Sequence, residues 1–200
     1  MTTATQTPYG LADYVHDVEE ILECRPAMPI TIKQVSTITK KLVAADEWLE
    51  SRCRIGSDEC YARHLLHRDR FNRFVVLSLV WQPGQVTPIH DHSCWGVMGM
   101  LEGSLEVVDY ERLDDGSRPD YADLRESGGT EVAKGSVGYV LPPYHEIHTI
   151  GNVSDKPAIS IHIYGRDLDV INVYDNDTKK VSPMRIKYYG PNCGGTEFMI

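Results

Sequence analysis

Apolar residues recur at helical spacing in the first quarter of the chain and then gather into short dense runs. Leu11, Tyr14, Val15, Val18 and Leu22 predict a helix over Leu11–Leu22. The sequence Pro26-Ala-Met-Pro29 ends it. Ile32, Val35, Ile38, Leu42, Val43 and Trp48 keep similar spacing and predict a second helix over Ile32–Leu49. Both helices are expected to cover one side of a core. From about Cys60 the texture becomes that of strands. Phe74–Trp81 is aromatic and branched and is closed by Pro83-Gly84, which predicts a buried strand. Trp95–Met100 predicts another, with Glu102-Gly103 as the turn into a partner over Leu105–Tyr110. Asp114-Asp115-Gly116 is a further turn, and residues 114–129 are expected to form an exposed polar loop. Ser136–Leu141, Ala158–Tyr164 and Val170–Tyr174 complete a series of short strands, the pattern of a sandwich or closed barrel. No repeat or low-complexity linker divides the chain. A single domain over 1–200 is expected, with a helical part at 1–55, a barrel at 60–175 and an extension at 176–200.

Composition narrows the function. Two hundred residues suffice for one domain with a sizeable core. The net charge of -9 disfavours binding to nucleic acid or to an anionic membrane, since both are polyanions. It leaves small anionic substrates open, because one buried arginine outweighs a diffuse surface field. No apolar run approaches a membrane span, and the first residues have neither the basic start nor the apolar stretch of a signal peptide. A cytoplasmic location is expected. Cys24, Cys53, Cys60, Cys94 and Cys193 are odd in number and lack Cys-x-x-Cys spacing, so reduced thiols acting as small buried hydrophobes are expected.

The chemistry concentrates in Gly84-Gln-Val-Thr-Pro-Ile-His90-Asp-His92. Residues two apart on a strand share a face, so His90 and His92 can converge on one metal ion. A third histidine must come from elsewhere, and Leu141-Pro-Pro-Tyr-His145-Glu-Ile-His148-Thr-Ile-Gly-Asn152 offers two, between which spacing does not choose. Asp91, between the two ligands, should face the other way and serve a structural role.

Glycine followed by five residues and His-x-His resembles the first motif of the cupins, and His148-Thr-Ile-Gly-Asn152 resembles the end of the second. This resemblance implies a cupin (jelly-roll) β-barrel, with His148 rather than His145 as the third ligand. Most cupins add a glutamate ligand after His-x-His; counting back from Gly103, that position is Gly96. Three neutral imidazoles without a carboxylate leave about half of an octahedral shell open and keep the full charge of the ion, which favours a soft anion such as a thiolate.

A three-histidine cupin of this kind is similar to the thiol dioxygenases, in particular the cysteine dioxygenase family in its bacterial form. Ser160-Ile-His162-Ile-Tyr164 resembles the Ser-x-His-x-Tyr element of that family, and period two puts its three polar side chains on one face. Tyr61-Ala-Arg63 resembles the family's Tyr-x-Arg, whose arginine holds the substrate carboxylate, a task suited to its planar fork. In animal members a cysteine near the iron is cross-linked to the tyrosine that Tyr164 matches; Gly96 stands at that position here, and no cross-link from nearby Cys94 is expected. The resemblance implies iron(II) held by His90, His92 and His148, and addition of both atoms of O2 to the sulfur of a small thiol carboxylate. Arg63 and Tyr61 would bind the carboxylate. Tyr164, oriented by His162 and Ser160, would donate a hydrogen bond to oxygen or substrate.

Arg63 favours L-cysteine over 3-mercaptopropionate or another mercapto acid, since mercaptopropionate enzymes usually carry glutamine there. The run His90–Gly103 resembles those bacterial enzymes more, and pulls the other way. Two rivals differ in class. A cupin oxygenase acting on a flavonol or diketone would need a larger apolar pocket and no Arg63. A non-enzymatic cupin binding a metal or ligand would have no use for the Ser160, His162 and Tyr164 alternation. Three histidines also accept zinc, nickel or copper. The stretch Lys187–Gly195 is expected either to pack near the pocket mouth or to close the barrel.

Overall fold

A computed structural model describes residues 9–188. Two helices open the chain, α1 (Leu11–Glu23) and α2 (Met28–Leu42), joined by hydrogen bonding between the buried Tyr14 hydroxyl and Thr39 Oγ1 at 2.8 Å. α2 starts earlier and stops sooner than Ile32–Leu49. Pro29 sits in its first turn, where a missing N–H costs nothing. Trp48 lies beyond its end and folds back, its indole N–H shared between the carbonyls of Leu42 (2.9 Å) and Ala45 (3.0 Å). A doubled-back chain, not a longer helix, puts Trp48 against the core.

Eleven strands follow: β1 (Ala62–Arg68), β2 (Val75–Trp81), β3 (Ile89–His90), β4 (Gly96–Glu102), β5 (Ser104–Arg112), β6 (Leu124–Ala133), β7 (Val137–Val140), β8 (His148–Gly151), β9 (Ala158–Tyr164), β10 (Val170–Asp175) and β11 (Lys180–Arg185). They form two antiparallel sheets, ordered β1-β2-β9-β4-β7 and β11-β10-β3-β8-β5-β6. Packed face to face, these make the double-stranded β-helix of a cupin. Besides the short β8, three strands depart from the sequence expectation. β1 occupies a stretch rich in Arg and His, whose inward positions Arg63 and Leu65 are paired with Leu79 and Leu77. β6 takes up much of the expected polar loop; as an edge strand it is exposed along most of its length, so it carries no hydrophobic alternation. β11 is also an edge strand and tolerates Pro183 for that reason.

The core has two large parts, with a small third cluster at Ala122, Leu124 and Tyr174. One lies outside the first sheet, where α1 and α2 bury Tyr14, Val18, Val35 and Leu42 against Val76, Val97 and Ile161. A Cβ at Gly99 would come within 2.7 Å of Thr39 and 2.8 Å of Val43, so the absence of a side chain there lets α2 lie close on β4. The other part fills the barrel: Leu77, Leu79, Trp81, Met98 and Met100 from one sheet, Leu105, Ile150 and Ile171 from the other. The two sheets meet along two seams. β7 and β6 are the edges on one side, β1 and β11 the edges on the other. The functional side chains lie between those seams. Among the described residues no helix is long and apolar enough to cross a membrane.

Candidate metal centre

His90 and His148 are direct partners across the β3–β8 ladder, so their side chains share the inward face. His92 reaches the same point by another route than the strand alternation expected, since β3 ends at His90. Asp91 turns the chain. Its carboxylate accepts hydrogen bonds from the Asn172 N–H (3.1 Å), Asn172 Nδ2 (2.9 Å) and the Tyr174 hydroxyl (2.6 Å), a structural role outside the site. His92 then donates its backbone N–H to Glu146 Oε2 at 3.3 Å. The three imidazoles are buried and offer ligand atoms all within 4.8 Å of one another. Ring centroids are separated by 4.7 to 5.0 Å. His145 is exposed, packs on the Tyr139 ring and stands outside this cluster. Asn152 holds a turn, its Nδ2 donating to the carbonyls of Trp81 (3.1 Å) and Lys156 (2.8 Å).

Burial makes this a set of neutral ligands. It pushes His90 down to about 4 and holds His92 and His148 well below the usual imidazole range. His92 and His148 each keep a buried ring nitrogen without a hydrogen-bond partner. Such orphaned atoms are costly unless something completes them, and a metal ion does so. His90 donates its Nδ1–H to the Pro88 carbonyl (3.0 Å), which fixes its ring and leaves Nε2 for a metal. No carboxylate belongs to the cluster.

A hydrogen-bonded chain runs beside it. The Trp81 indole donates to Ser160 Oγ at 2.9 Å; Ser160 Oγ lies 2.8 Å from His162 Nε2, and His162 Nδ1 lies 3.1 Å from the Tyr164 hydroxyl. The last three side chains alternate along β9 and are buried in the barrel. Burial pushes His162 down to about 3, with the Arg63 charge adding to it, and pushes Tyr164 up to about 12. The imidazole is therefore neutral and the phenol protonated near neutral pH. The Tyr164 ring stacks on His92 at 5.3 Å. A Cβ at Gly96 would lie 2.8 Å from Tyr164 Cδ1, so position 96 must be small for the phenol to lie as it does.

Arg63 points into the barrel from β1, and its charge also acts on His90, His92 and Tyr164. Its Nε is buried without a hydrogen-bond partner. Tyr61 stacks on Trp81 with centroids 4.5 Å apart. Past β11, the Tyr188 ring lies 5.9 Å from the Arg63 guanidinium, and its hydroxyl donates to Asp167. This places the start of the expected Lys187–Gly195 contact at the Arg63 side of the site; residues 189–195 lie outside the described residues. No disulfide forms among the described cysteines, but only Cys53 of them is fully buried; Cys24 and Cys60 are exposed and Cys94 is half-buried against the barrel core. The expectation of small buried hydrophobes thus holds for Cys53 and fails for Cys24 and Cys60. Cys193 lies outside the described residues.

The family model for cysteine dioxygenase type I matches residues 1–177. The chain belongs to the cysteine dioxygenase type I family. Curated relatives are remote: it is 25% identical over 122 residues to "Cysteine dioxygenase type 1" of Rattus norvegicus, covering 59% of this chain and 57% of that one. To the Danio rerio protein of the same name it is 23% identical over 137 residues, covering 64% and 63%. The chain thus spans about three-fifths of the length of these relatives. Among solved structures it is similar to a protein with a double-stranded β-helix domain from Klebsiella pneumoniae, at 14% identity and TM-score 0.47 over 66% of this chain and 99% of that one.

Sequence reasoning did not single out Trp81, Glu146, Tyr188 or Asp109, although Tyr188 falls within the Lys187–Gly195 stretch. Asp109 was within reach, since it continues the inward alternation of Leu105 and Val107 on β5 and pairs with His148. The other three come to the site through tertiary contacts that no local spacing encodes.

Proposed function

We propose that this protein is an iron(II)-dependent thiol dioxygenase that converts a small thiol carboxylate, L-cysteine foremost, to its sulfinate. The observation that carries the reading is a buried, partnerless Arg63 Nε facing a cluster of three neutral histidines. A half-buried guanidinium whose Nε has no partner is well placed to take an anion, and a substrate carboxylate would supply the missing partner bidentately. Bound iron(II) would supply the one-electron chemistry that lets triplet dioxygen react with a closed-shell thiolate. One thiol and one O2 give one sulfinic acid; two S–O bonds form, the O–O bond breaks, and no external reductant is consumed.

The chain's own residues orient this reaction. Arg63, with Tyr61 beside it, holds the carboxylate. Trp81 donates to Ser160, which can donate onward to His162 Nε2; the single N–H of neutral His162 then lies on Nδ1 and faces the Tyr164 oxygen. In that direction the phenol proton is left free to point into the site, where it stabilises negative charge developing on oxygen. The -9 charge and the lack of an apolar span fit small-molecule partners, O2 and a thiol, better than nucleic acid or membrane. We place the protein in the cytoplasm, where thiols stay reduced.

Oxygen uptake by iron-loaded protein with L-cysteine, 3-mercaptopropionate and mercaptosuccinate tests this. L-cysteine should give the highest kcat/KM. Arg63→Gln should lower it about 10- to 100-fold, the cost of one or two charge-assisted hydrogen bonds. No uptake with any of the three thiols removes the reading.

A further inference from the structure

Arg63 and Tyr188 occupy the β1/β11 seam, and the opposite seam is built differently. A cavity of about 240 Å³ runs from His92, His148 and Tyr164 to the β6/β7 edges, where Thr130 and His145 are exposed. Its walls between the metal cluster and the mouth are mainly apolar, formed by Val107, Val132, Val140 and Ile150. Gly138 on β7 pairs with Met98 and faces inward, and a Cβ built there meets nothing within 4 Å. A larger side chain is sterically allowed at that position and would fill the passage. Its glycine keeps the cavity open.

The occupant follows from charge and size. The wall carries Asp109, the cross-strand partner of His148, and Arg63 is not among the lining residues. A carboxylate in an apolar passage disfavours an anionic thiol acid, whose own carboxylate has its partner at the other seam. A small neutral apolar molecule meets neither obstacle. We infer that the β6/β7 seam is the entry route for dioxygen, with Gly138 as the residue that holds it open, while the thiol carboxylate enters from the Arg63 side. The inference rests on the reading of the site as an oxygen-consuming centre. It gives the two substrates separate doors.

The test uses nitric oxide as a neutral diatomic probe whose binding needs no turnover. In Gly138→Phe, its association rate with the iron-loaded protein should fall at least about fivefold, with the final nitrosyl signal unchanged. Thr130→Trp, at the exposed mouth, should slow association in the same sense, and Gly138→Ala should leave it at the wild-type rate. Xenon-pressurised crystals should show the gas beside Gly138 in the wild type and not in Gly138→Phe, as apolar cavities take up xenon. With thiol as co-substrate, KM for O2 should rise and KM for thiol should stay unchanged. Equal nitric oxide rates in all variants would overturn the route. So would a raised thiol KM at unchanged nitric oxide rate, which would assign the cavity to the substrate instead. Slowed nitric oxide binding in a protein that consumes no O2 with any thiol would leave the route standing and remove the dioxygenase reading alone.

Discussion

In the proposed reaction the phenol of Tyr164 serves only while it keeps its proton and its direction. Burial secures the first by pushing it up to about 12, and His162 secures the second at 3.1 Å. Tyr164→Phe removes one donor without touching a metal ligand, so turnover should fall about 10- to 100-fold at unchanged iron content, measured by oxygen uptake beside metal analysis. Unchanged turnover at saturating oxygen would contradict the role. Asp69 makes a stability prediction of the same grain. Its buried carboxylate accepts from the backbone N–H groups of Phe71 and Arg73 and from the Arg73 guanidinium, tying the β1–β2 turn. The Arg73 hydrogen bond is the largest cause that holds it down to about 2. A depressed carboxylate stabilises the fold fully above its unfolded value near 4, and that stabilisation is lost as pH falls from about 4 to 2. Asp69→Asn should therefore cost about 1–3 kcal/mol at pH 7 in urea unfolding, and the gap to wild type should shrink below pH 4. A gap independent of pH would contradict the assignment. The alternation of Ser160, His162 and Tyr164 is legible in sequence because one strand carries all three. Trp81 at its head is not, because its link to Ser160 crosses between β2 and β9.

At the scale of elements, the seat of α2 on β4 is set by Gly99, where even a Cβ would overlap Thr39 and Val43. Gly99→Val should destabilise the protein by about 1–3 kcal/mol through overpacking, read as a lowered urea midpoint at unchanged slope. A variant as stable as wild type would mean that the helix layer shifts freely. β2, β4, β5 and β9 were legible because they are bounded by turns and rich in branched residues. β6 and β11 were not, because edge strands bury little and carry polar residues together with the strand breakers Gly128, Gly129 and Pro183. The second helix was overextended for a different reason: Trp48 has the right spacing but returns to the core through a turn.

For the whole molecule, two sheets closed over the barrel core leave one seam lined by Arg63 and another lined mainly by apolar side chains, with three histidines between them. The His90, His92 and His148 cluster was legible because His90-Asp-His92 is a local motif and the second cupin motif picks out His148, a choice that spacing alone left open. The proposed two-sided approach was not, since it depends on which strands become edges. In the proposed reading Arg63 anchors a carboxylate beside an open three-histidine centre and a phenol donor, and the expected product is a sulfinate. The most direct test of it is turnover of iron-loaded protein with L-cysteine under ¹⁸O₂, followed by mass spectrometry of the product. Label in both sulfinate oxygens, with one O2 consumed per thiol, is the predicted result. Cystine and hydrogen peroxide as the products, or a sulfinate with label in one oxygen only, would contradict the account.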